Sequence, residues 1–121
     1  HHVDISYAFP EIRRIKGAAG KLLAVEALEY NPYIRLYRKL TPDMRTEWEK
    51  GHILGLKDVK FASRFFQVGE VKYWHVIGYL GALLKPIAPA LTLFDSLLTK
   101  VPFLKYMSWI FSFELLSKKE Q

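Results

Sequence analysis

Residues 21–28 read KLLAVEAL, a short apolar run entered through the glycines at 17 and 20. A continuous run of this kind suits a strand buried on both faces, as in a parallel sheet. Periodicity alone would also allow a helix. The upstream neighbours decide for the strand. Ile5–Ile15 already carries Ala8, Ile12 and Ile15 at helical spacing, with Ser6 placed to cap it and Arg13, Arg14 and Lys16 where cations complement a helix dipole. Gly17 and Gly20 then break that helix. The local unit is helix, turn, strand.

Downstream, Asn31-Pro32 marks a turn, and Tyr33–Leu40 is a compact helix or turn ended by Thr41-Pro42. Arg45–His52 (RTEWEKGH) is dense in charge and reads as a loop. Leu56–Phe66 is expected to be a helix. Val68–Val76 alternates in the manner of a strand. Ile77–Leu84 and Ala90–Thr99 read as helices and Val101–Met107 as a third short piece, before the aromatic and β-branched strand Trp109–Leu116. The polar tail 117–121 is expected to fray. Strands alternating with helical pieces argue for an α/β architecture of about three strands with helical insertions.

A length of 121 residues suits one domain, 1–121, and a composition that is half hydrophobic and a quarter charged excludes a disordered polymer. The absence of Cys excludes a disulfide scaffold, a thiolate zinc site and a thiol nucleophile. A net charge of +6 favours anionic partners. Basic residues are dispersed and no recognition motif interleaves them, so nucleic-acid binding is not expected. Charge is concentrated before residue 73, and residues 73–117 hold only Lys85, Asp95, Lys100, Lys105 and Glu114. The uncharged run Trp74–Leu84 is short of the roughly 18–20 residues that span a bilayer, so no transmembrane segment is expected. The opening HHVDIS has no signal-peptide pattern and no Met, and a cytoplasmic location is the expectation.

Glu26 stands inside the apolar strand. A carboxylate there is costly unless it is paired, as with an Arg, or sits at the strand's C-terminal end, where α/β sites form. Tyr37, Arg38, Arg45 and Thr46 offer polar and cationic groups on a loop-rich insert. Arg can clamp a carboxylate or phosphate with two parallel hydrogen bonds. A solvated basic face is the alternative for the same residues. His52 and His75 lack a second ligand at helical spacing, so no metal site is expected.

Several stretches carry a likeness to a known family. HHVDISYAFPEIRRIKGAAGKLLAVEAL resembles the second half of a class I S-adenosylmethionine-dependent methyltransferase, in which a strand ending in "(V/L)HH" leads to a helix like "PEIARVLKPGGK" and a strand like "LLAVEAL". The stretch beginning NPYIRLYRKLTPDMRT is similar to "NPLIRLYRRLTPxxRT" of a bacterial subgroup, and YWHVIGYLGALL and WIFSFEL look like its closing segments. The usual KPGG turn is KGAAG here. The likeness covers nearly the whole chain and implies the C-terminal, substrate-side half of a Rossmann-like methyltransferase sheet, whose last two strands pair antiparallel.

The resemblance implies S-adenosylmethionine as cofactor and a small, apolar or amphipathic methyl acceptor as substrate. It places His1 and His2 at a strand end facing the cofactor, against the alternative of a tag remnant, and His52 by the substrate pocket, against that of a solvated loop residue. The family's glycine-rich loop and ribose-binding acid belong to its first half, so the chain by itself is expected to bind the cofactor weakly. The alternative function is a non-catalytic α/β binding or dimerisation domain. An unpaired edge on the KLLAVEAL strand leads to the expectation of a homodimer.

Overall fold

The computed structural model describes residues 2–118. Helix α1 (Ile5–Lys16) starts at Asp4, whose carboxylate accepts hydrogen bonds from the Ser6 N–H (2.8 Å) and hydroxyl (2.6 Å). Asp4 rather than Ser6 is therefore the cap, because it is the last residue with extended backbone before the helix. The helix ends at Gly17, whose φ of 65° suits a residue without Cβ.

Strand β1 (Lys21–Ala27) follows, as the sequence predicts. Its partner is β3 (Ile110–Ser117), paired antiparallel from Lys21↔Leu116 to Ala27↔Ile110. Strand β2 (Phe66–Trp74) lies on the other side of β3, also antiparallel, with a register shift between Val68 and Val71. The order β1-β3-β2 means that β1 and β2 point the same way without touching. The pairing expected for the last two strands is present. The parallel, doubly buried setting expected for residues 21–28 is not.

The reason lies in how the faces are covered. Leu22 and Ala24 turn inward with Phe113 and Leu115, while Leu23 and Val25 point outward and are exposed. Inside, Phe111, Phe113 and Leu115 pack with Phe9 of α1, Val59 and Ala62 of α4 (Leu56–Ala62), and Phe66. Phe9 meets Phe66 edge-on at 6.1 Å. Fully buried side chains of this size each contribute about 2–3 kcal/mol. On the outer face, Lys21 pairs with Glu114 at 2.6 Å and the Trp74 indole N–H donates to the Ser112 hydroxyl at 3.1 Å. The apolar run of β1 is thus one inner row and one open row.

Between β1 and β2 lie α2 (Pro32–Leu40), a 3₁₀ turn at Pro42–Met44, α3 (Glu47–Gly51) and α4. Asn31, fully buried, caps α2 by accepting from the Tyr33 and Ile34 N–H groups and ties it to the rest of the chain by donating to the Met107 carbonyl. The segment 45–52, read as a loop, contains α3. Thr46 and Glu49 form a capping box, each satisfying the other's backbone N–H. Helix α4 is shorter than expected, because the chain turns after Ala62 and residue 66 already belongs to β2.

Between β2 and β3, the expected helix 77–84 is instead the 3₁₀ segment Gly78–Ala82; a second 3₁₀ segment at Lys85–Ile87, α5 (Ala88–Leu98) and 3₁₀ Leu104–Met107 follow. One side chain anchors this insertion. Asp95, buried in α5, accepts from the N–H groups of His75 (2.8 Å), Ile77 (2.8 Å) and Gly78 (3.2 Å). His75 takes a φ of 63°, which turns the chain out of β2 and aims these amides at the carboxylate. Among the described residues the fold is a mixed α/β arrangement of five α-helices and one three-stranded antiparallel sheet. No described helix is long and apolar enough to cross a membrane.

Candidate functional site

The chain leaves β1 through Leu28, fully buried, whose N–H donates to the Trp109 carbonyl, and through Glu29, whose N–H donates to the Leu54 carbonyl. Those bonds fix where α2 begins. Its positions 35, 38 and 39 fall on one side of the helix, as i, i+3 and i+4 neighbours do. The turn after α2 brings Arg45 back toward that side, and α3 adds Lys50. The result is a cavity of about 360 Å³ lined by Glu29, Arg35, Arg38, Lys39, Arg45 and Lys50, with Pro42, Gly51 and Ile53. Five cations face one carboxylate there.

Two of the cations are held in position by backbone acceptors. The Arg38 Nη2 donates to the Glu49 carbonyl at 2.8 Å, and the Arg45 Nη1 donates to the Thr41 carbonyl and hydroxyl, both at 2.9 Å. A guanidinium carries five N–H donors, so these bonds orient each group without exhausting it. Burial, and then the charge of Arg45, lower the Arg38 pKa, while Glu49 opposes them. The site is short of negative charge. Lys50 pairs with Glu47, and Glu29 lies 3.6 Å from Lys57.

A smaller cavity of about 180 Å³ adjoins it across Gly51 and Ile53, which line both. Its wall includes Asp4, Trp48, His52, Lys57 and Asp58. The His52 ring stacks on Trp48 at 3.6 Å, nearly parallel, with its Nδ1 2.7 Å from the Trp48 carbonyl. Hydrogen bonds from the backbone N–H and the hydroxyl of Thr46 hold the Glu49 carboxyl below the usual carboxylate range.

The structure therefore brings Arg38 and Arg45 together in the larger cavity and puts His52 in the smaller one. Tyr37 lies just outside, its ring 5.5 Å from the Arg45 guanidinium and its hydroxyl on the Met44 sulfur. Thr46 acts through its cap on α3. His2 lies in the irregular lead-in to α1, with Nδ1 2.6 Å from Glu49 Oε1 and no strand ending at it among the described residues; His1 lies outside them. Glu26 is half-buried near the end of β1, on the inward row opposite Phe111, and lines neither cavity. Sequence reasoning missed Arg35, Lys39, Lys50 and Glu29. The helical spacing of 35, 38 and 39 was the available signal for the first two. No family model, curated protein or solved structure matches the chain.

Proposed function

We propose that the chain is the acceptor-side part of an S-adenosylmethionine-dependent methyltransferase, and that its cationic cavity holds a carboxylate or phosphate on a small methyl acceptor. The observation that carries the reading is the convergence of Arg35, Arg38, Lys39 and Arg45 on one cavity, within the stretch whose sequence resembles the bacterial subgroup. Its volume of about 360 Å³ lies within the usual range for small-molecule sites. The half-buried guanidinium groups of Arg38 and Arg45, oriented by their backbone acceptors, suit a planar or tetrahedral anion.

The methyl donor is a poor match for either cavity. Its sulfonium would meet a surplus of cations in the larger, and the smaller is below the usual size for such a ligand. In this reading the residues of the larger cavity grip and orient the acceptor.

Incubating the protein translated from the whole reading frame with methyl-labelled S-adenosylmethionine and a panel of small carboxylates and phosphate monoesters tests this. Label transfer is expected, and Arg38→Ala should raise the acceptor KM about 10- to 100-fold, in line with losing hydrogen bonds to a charged group. A protein that binds the donor yet labels no anionic acceptor, or an Arg38→Ala variant with unchanged KM, would remove the reading. The second reading, a dimerisation domain, is favoured by one observation: among the described residues β1 pairs only on its β3 side, and it exposes Leu23 and Val25.

A further inference from the structure

Helix α5 is built the wrong way round for a solvated helix. Its one buried side chain is Asp95, while Leu93, Phe94 and Leu97 are exposed, Leu93 by 70%. On a 3.6-residue turn, Ile87, Ala90, Leu93, Phe94 and Leu97 fall on one arc of about 120°. Leu83 and Leu84 before the helix, and Val101, Phe103 and Leu104 after it, are exposed as well, Phe103 by 84%. Monomeric soluble proteins seldom show contiguous apolar patches above a few hundred Å².

The charges around this surface share one sign. Lys85 and Lys100 are exposed at the two ends of α5, and Lys105 follows, its ammonium over the Tyr73 and Tyr106 rings. The segment's only carboxylate, Asp95, faces inward onto three backbone amides. We propose that residues 83–104 form a docking surface for an anionic lipid bilayer. Apolar side chains of α5 and its flanks would enter the acyl boundary, while the lysines before and after the helix reach the headgroups. An 11-residue helix is roughly 16 Å long and suits lying on a membrane rather than crossing it. Charge also argues against a second copy of the chain as occupant. A two-fold contact through this face would bring Lys85 and Lys100 of both copies into one interface with no carboxylate from the segment to offset them. The proposal is independent of methyl transfer.

Co-sedimentation of the full chain with vesicles tests it, using phosphatidylcholine mixed with phosphatidylserine and phosphatidylcholine alone. Binding to the mixed vesicles is expected, about tenfold weaker without the anionic lipid. Phe94→Glu and Phe103→Glu should each weaken it about tenfold, and Lys85→Glu with Lys100→Glu should abolish the preference for phosphatidylserine. Tyr7→Glu, at an exposed position on α1, should bind like the wild type. Circular dichroism checks each fold, and Phe103→Glu lies outside the helices should Phe94→Glu not fold. A wild-type chain that leaves both vesicles bare overturns the proposal. So does vesicle binding indifferent to both phenylalanines, or a dimer that Phe103→Glu dissociates in a chain that ignores lipid.

Discussion

Asp95 decides where the second half of the chain goes. Three backbone amides converge on it from residues 75, 77 and 78, and no other side chain of α5 is buried. Replacing it with Ala strands those donors, and each unsatisfied buried group costs about 1–3 kcal/mol. Asp95→Ala is therefore expected to lower stability by about 3 kcal/mol, measured by urea unfolding followed through tryptophan fluorescence, with Asp95→Asn about half as damaging. This role was not legible in the sequence. An acid in an apolar run announces only a cost, and its partners are 17–20 residues away on a turn that His75 creates by a conformation unusual for any residue but glycine. Arg38 and Arg45 were legible as chemistry, because their side chains suit anions wherever they sit. That they share a cavity with Arg35 and Lys39 depends on the return of the chain after α2.

Strand β1 was legible because it lies between a helix stop and a turn, yet its environment was not. KLLAVEAL has the same letters whether one face is covered or two, and only the position of α1 and α4 on the inner side decides. The short helix α3 was missed although Thr46 and Glu49 spell its capping box, since a five-residue helix offers too little periodicity to notice. Thr46→Ala should raise amide exchange through residues 47–51 by about fivefold, which matches a cap worth about 1 kcal/mol. The same helix should respond to acid. The Glu49 carboxyl is lowered chiefly by its bond from the Thr46 N–H, so its contribution is complete above the usual carboxylate range. It declines as pH drops below that range and is lost once pH passes the depressed folded value. Exchange of the 47–51 amides measured against pH, with Glu49→Gln as the insensitive comparison, checks this.

At the scale of the whole molecule, the sheet has one covered face, one open face and, among the described residues, a β1 edge with no strand beside it. An edge of this kind pairs readily with another chain. Sedimentation velocity at micromolar concentration should show a dimer, and Val25→Lys should shift it to monomer; a wild-type monomer would mean that another element covers the edge. Calorimetric titration of this chain with S-adenosylmethionine should give no tight binding, since neither cavity suits the donor, and micromolar affinity would contradict that fit. The central place of β3 has a further consequence, for synthesis. Residues 21–27 and 66–74 find no partner in each other; both wait for 110–117. On a ribosome, the first strand would leave the exit tunnel with its hydrogen-bonding groups idle while some eighty further residues were added, an interval in which a chaperone that shields apolar segments would have its natural client.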